Sequence, residues 1–246
     1  MRKLTGNDLN LLYNNLKIIG ISNDSKANNL YQYLMDEIIP LYMNNKYHLL
    51  DAKHLLKRIN LATRIYQSIP PYRYGLNPKC LLVLVAFEDI SMVLDKDTTS
   101  RNRFKKSSQI VKEKYSSNLK YILETWELDW LYNAIEYPKN QIYDLKKIYS
   151  NYYESLYSNF ANDIRRISLL PYDYAISNIY HDLCVKNNMR SVKYNMFETW
   201  VKLHNIFNYP LAIKEIFHFE NTETMITEMK MLLRETKENK DLSNYI

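Results

Sequence analysis

Glycine is nearly missing from this chain of 246 residues, which has 3: Gly6, Gly20 and Gly75, each standing alone. That excludes the glycine-rich turns that cradle phosphates in P-loop and dinucleotide-binding folds, and it argues against strand-rich architectures, which spend glycine on tight turns and bulges. Cysteine is scarce too. Cys80 and Cys184 sit on separate apolar stretches, so the sequence holds neither a disulfide framework nor a thiolate cluster, and both read as core thiols. Long apolar runs are also lacking: the longest, Leu81 to Phe87, is far too short to cross a bilayer. The amino-terminal MRKLTGNDLNLL has no continuous apolar core of signal-peptide length. These absences lead us to expect an intracellular, cytoplasmic protein with no membrane insertion.

What remains is a globular composition, 46% hydrophobic and 24% charged, with a formal net charge of +6 and 23 tyrosines against 7 phenylalanines. The length can bury a sizeable core. Apolar residues recur at helical spacing throughout, so the expected fold class is all-α, a compact single-domain helical bundle. Its expected main body spans 1–210, with a helical appendage over 211–246.

Asn7 or Asp8 can cap a helix to Ile19, and a second runs from Ser25 or Lys26 to Asn44, bent at Pro40. A third covers Leu49 to Ser68 and ends at the turn Ile69–Pro78. Cys80 to Leu94 follows, and then a basic helix capped by Thr98 or Ser100 continues to Trp130. Beyond Tyr137-Pro138 come Gln141 to Leu169, a helix from Pro171 to Lys186, and shorter ones over Ser191–Asn208, Leu211–His218 and Glu223–Lys237.

The segment LLVLVAFEDISMVLDKD, from Leu81, carries most information. A helix apolar on all sides is a buried helix, and this one ends in adjacent acids, Glu88 and Asp89. Buried carboxylates need a cation, a donor network or water; otherwise the pair marks where the helix reaches solvent. Upstream lie Tyr47-His48 and His54, and downstream lie WELDWL (Trp126–Leu131) and the segment holding Ile164-Arg165. In that order these pieces resemble the small HD-superfamily proteins regarded as metal-dependent phosphohydrolases, over roughly residues 16 to 185. The family shows a Tyr-His and a second His, then Phe-His-Asp closing an apolar helix, an Asp-Leu-x-x-Leu turn, and a late Ile-Arg helix.

The resemblance implies the all-α HD-like fold and a metal site. His54 falls on the first metal-binding histidine, with a spacing two residues longer than usual. Phe87-Glu88-Asp89 falls on Phe-His-Asp, so Glu88 stands where the family has its histidine and Asp89 keeps the catalytic, bridging carboxylate. Glu127 falls on the last acidic ligand, with Asp129 as the other choice. The family's extra helix before that turn has no counterpart, since no histidine lies between Val111 and Trp126.

Such a site polarises a phosphoryl oxygen and lowers the pKa of a bound water. Glutamate in place of imidazole shifts preference toward harder ions, Mg or Mn, adds negative charge and blunts the Lewis acidity of the metal. We therefore expect a catalytically degenerate protein that binds a nucleotide, nucleic acid or protein partner. The first alternative is an active phosphohydrolase with Arg103, Lys105 and Lys106 steering the substrate phosphate. The second is an unrelated basic helical nucleic-acid-binding or assembly protein, carried by the run from Arg101 to Lys120 with its one acid, Glu113. That run also reads as a solvated helix face. The tyrosines from Tyr143 to Tyr180, interleaved with Lys and Arg, read as amphipathic rim residues more readily than as a base-stacking ladder. His181-Asp182 lies too late in the chain for the HD-like frame, and His204 and His218 have no partner at metal spacing.

Overall fold

The computed structural model describes residues 4–8, 10, 14, 25–67, 78–95, 98–99, 102–138, 152–169, 172–191, 194–203, 227, 231 and 234. These residues form helices and turns, with no strand among them, so the fold is all-α as expected. The appendage expected over 211–246 and the helix expected over Leu211–His218 fall outside the described residues, as does nearly all of the one expected over Glu223–Lys237.

The first expected helix is described only in part. Its cap is Thr5 and not Asn7 or Asp8: the Thr5 N–H donates to Asp8 Oδ2 at 2.7 Å and the Asp8 N–H to Thr5 Oγ1 at 3.3 Å, a reciprocal capping box. Helix α1, Ser25–Tyr33, runs into a π turn, Leu34–Ile38, and then into α2, Ile39–Met43. Pro40 is the physical reason for the π turn. It has no N–H to donate and its ring crowds the preceding turn, so the helix widens there, with Ile39 donating five residues back to Leu34.

A 3-10 turn, His48–Leu50, leads into α3, Ala52–Gln67, whose first turn is capped by the buried Asp51 accepting the His54 N–H at 2.8 Å. Next is α4, Pro78–Phe87, with proline at the first helical position, where no donor is needed. From Cys80 to Phe87 every side chain is buried. This is the central helix. It packs against α3, against α8, Thr125–Glu136, and against α9, Tyr152–Ile167. Burying each large apolar side chain contributes roughly 1.5–3 kcal/mol relative to exposure, so the core is built around α4.

The stretch expected as one helix from Cys80 to Leu94 is broken by a turn at Glu88 and Asp89 before α5, Ile90–Leu94. The basic helix is also divided. It begins at α6, Arg103–Ile110, after Asn102, whose side chain accepts from both the N–H and the hydroxyl of Thr99. It continues through a second π turn, Val111–Tyr115, and α7, Ser116–Leu119. It then stops, because Glu124 and Glu127 form a capping box that starts α8 afresh. Helices α10, Tyr172–Asn187, and α11, Tyr194–Leu203, follow, with α10 lying against the 3-10 turn at His48.

Candidate functional site

The end of α4 decides the site. The Leu84 carbonyl still accepts the Glu88 N–H at 2.9 Å, and the buried Tyr42 hydroxyl donates to the Ala86 carbonyl at 2.7 Å. The turn that follows drives Glu88 and Asp89 inward, where they are 1% and 4% exposed. Asp89 sits at the start of α5, yet its carboxylate makes no cap for that helix. Both acids face arginines instead.

Arg58, on the buried side of α3 one turn after His54, pairs with Glu88 and reaches Asp89 Oδ2 from Nη1 at 3.0 Å. Arg165, near the end of α9, pairs with the other oxygen of Glu88. Arg103 opens α6 and lies 3.7 Å from Asp89 Oδ1 through its Nε. Its place is fixed by serines, since Ser91 Oγ donates to the Arg103 carbonyl at 2.7 Å and Ser107 Oγ accepts the Ser91 N–H at 3.1 Å. Among the described residues three guanidinium groups thus meet two carboxylates, an excess of positive charge in these pairings. Phe104 lies under two of them, with Arg103 and Arg165 4.3 and 4.8 Å from its ring centre.

Burial opposes every charge in this cluster. It pushes the Asp89 carboxyl upward, but the attraction of Arg103, Arg165 and Arg58 outweighs it and holds Asp89 well below the usual carboxylate range. Burial likewise lowers the pKa of each of the three guanidiniums, which start high enough to remain charged. Arg58 is buried, whereas the side chains of Arg103 and Arg165 are 17% and 19% exposed. Among the described residues the Nε–H groups of Arg58 and Arg165 have no hydrogen-bond acceptor.

His54, Glu127 and Lys106 have partners of their own. His54 is buried, with Nδ1 3.1 Å from the Tyr174 hydroxyl and Nε2 3.3 Å from the Ser168 hydroxyl. Ser168 donates its own hydrogen to the Arg165 carbonyl, so the network assigns His54 the tautomer that donates from Nε2 and accepts at Nδ1. Glu127 is buried at the start of α8, where its Oε2 accepts the Glu124 N–H at 2.9 Å. It also neighbours the Cys80 thiol, whose pKa is pushed up by burial and then by the Glu127 charge. Asp129 faces outward. Lys106 pairs with Asp95 at 2.7 Å on the surface, and Lys105 is exposed, as are Lys112, Lys114 and Lys120. Of the tyrosine series, Tyr174 bonds His54 and Tyr180 is buried.

A divalent ion at Glu88 and Asp89 does not fit this donor set. The carboxylates already have cationic partners, both nitrogens of His54 face hydroxyl groups, and Glu127 serves its own helix. Among the described residues one group of metal-capable side chains comes together, and it is a different one: His48, His181 and Asp182. Arg58 and Arg165 are the partners that the sequence reading missed. The available signal was Arg58 itself, a charge set into the apolar stripe of Leu55, Ile59 and Ala62. A charge on a core-facing stripe needs an opposite charge nearby.

No family model, curated protein or solved structure matches this chain. No helix among the described residues is long and apolar enough to cross a membrane.

Proposed function

We propose that this chain is a non-catalytic, HD-like helical protein that holds the phosphate group of a nucleotide-type ligand at the Glu88–Asp89 corner. The observation that carries the reading is the surplus guanidinium charge there. Arg58 and Arg165 neutralise Glu88, Arg58 is shared with Asp89, and Arg103 makes only a long contact. Arginine presents donors in a rigid fork that matches phosphate oxygens, and a partly desolvated site strengthens the attraction. Arg103 and Arg165 reach solvent beside Phe104, so an anion can approach them from outside. In this reading the ancestral carboxylates orient arginines where they once oriented metal.

Isothermal titration with pyrophosphate and a nucleoside triphosphate, in the presence of a chelator, tests this. We expect saturable binding that weakens about tenfold or more in Arg103→Gln, the loss of one charge-assisted contact. Binding that is absent, or insensitive to Arg103→Gln in a folded variant, overturns the proposal. So does release of phosphate dependent on added Mg or Mn, which points to the active phosphohydrolase instead.

A further inference from the structure

A second cluster lies where α10 meets the 3-10 turn before α3. Asp182 accepts the backbone N–H of His48 at 2.6 Å with one carboxylate oxygen and that of Leu49 at 3.0 Å with the other. This carboxylate therefore fixes a turn lying 134 residues earlier in sequence. Its neighbour His181 places Nδ1 3.1 Å from Asp182 Oδ1. Tying down the turn lays the His48 ring over the His181 ring, with centroids 3.5 Å apart and planes within 3°. A nitrogen of each imidazole and an oxygen of Asp182 all lie within 4.8 Å of one another. The His181 side chain is 37% exposed and that of Asp182 13%, so the group opens to solvent.

We propose that His48, His181 and Asp182 form a binding site for a first-row transition-metal dication of the zinc class. Two imidazoles and a carboxylate are a donor set preferred by Zn, Co, Ni and Cu over Mg or Ca, with water completing the shell on the solvent side. Parallel rings cannot both aim a lone pair at one ion. Capture therefore turns one imidazole about its last torsion, a soft motion for a histidine and an open one for the half-exposed His181. The ligand atoms then close toward the spacing of a tetrahedral shell, whose metal–nitrogen distances are about 2.0–2.1 Å. The backbone bonds from His48 and Leu49 hold the carboxylate in place throughout. The ion cross-links the 3-10 turn to α10 and stabilises the folded chain in proportion to its occupancy.

The whole chain, stripped with a chelator and titrated with Zn, tests this. We expect about one equivalent to bind and the melting temperature to rise. Affinity falls by at least about tenfold in His48→Ala, in His181→Ala and in Asp182→Asn. Electron paramagnetic resonance of the Cu-loaded wild-type chain reports the donors without any substitution, and nitrogen coupling from two imidazoles is expected. Coupling from fewer than two, or Zn affinity unchanged in folded His48→Ala and His181→Ala, overturns the proposal. Loss of Zn in His54→Ala alone overturns it as well and moves the metal to the α3 histidine.

Discussion

Two corners of the molecule hold carboxylates out of bulk water, and they satisfy them with different chemistry. At the Glu88–Asp89 turn the acids meet guanidinium groups from α3, α6 and α9. At Asp182 the carboxylate meets two backbone N–H groups and an imidazole. A guanidinium stays charged at any ordinary pH, so the first corner is a fixed ionic junction, and the anion binding proposed for it would draw on its third guanidinium. An imidazole can exchange its partner for a metal, so the second is open to cations. The depth of burial follows the same division: fixed charges are tolerated deep inside when matched, while the exchangeable group sits near the surface.

The sharpest way to break this contrast is to remove Arg58, the residue shared by both acids. Arg58→Met leaves Glu88 and Asp89 buried with one counter-charge fewer, and we expect a loss of about 3–5 kcal/mol in urea unfolding. Adding Asp89→Asn removes the carboxylate left with only the long Arg103 contact, while Glu88 keeps Arg165, and part of that loss should return. A single variant as stable as the parent would show that the junction is not the anchor of the α3–α4–α9 packing.

Acid is the next probe. Asp89 has a folded pKa below its unfolded value of about 3.9, so its contribution is complete above that value and is lost as pH falls toward the folded one. The urea midpoint of the parent should therefore drop steeply between about pH 4 and pH 2. In Asp89→Asn, less stable from the start, this part of the slope should be gone. Equal slopes in the two proteins would place the acid sensitivity elsewhere.

Much of the fold was legible because it rests on local rules. Three glycines and apolar spacing near 3.6 leave little besides helices, and Pro40 and the Glu88-Asp89 pair were visible as irregular points. Their consequences were less so. Pro40 produces a π turn where a bend was expected, and the acids end α4 where a continuous helix to Leu94 was expected. The Glu124–Glu127 capping box, which divides the basic helix, puts glutamate where the usual pattern has serine, threonine, aspartate or asparagine, and so carried no familiar signal. The partners of the acids could not be read either, because Arg58 is 31 residues from Asp89 and Arg165 is 77 from Glu88. Sequence marks a buried charge as needing an opposite one, but it does not say which helix supplies it. The same holds at Asp182, whose bonds to the His48 turn depend on how α10 docks.

That docking gives the smallest of the expected effects and the most direct comparison of the two corners. Asp182→Ala removes no counter-ion from a fixed charge; it leaves the N–H groups of His48 and Leu49 without their acceptor at a partly buried position. An unmet donor of this kind costs about 1–3 kcal/mol, less than a stranded buried ion, because water can reach part of the turn. Asp182→Asn keeps one carbonyl oxygen and should recover about half of the loss. Amide hydrogen exchange resolves the cause: the His48 and Leu49 amides should exchange faster in Asp182→Ala, while those of α4 keep their protection. If those two amides are unaffected, the turn is held by packing alone, and the contrast between an ionic corner and a backbone-anchored one fails at its second term.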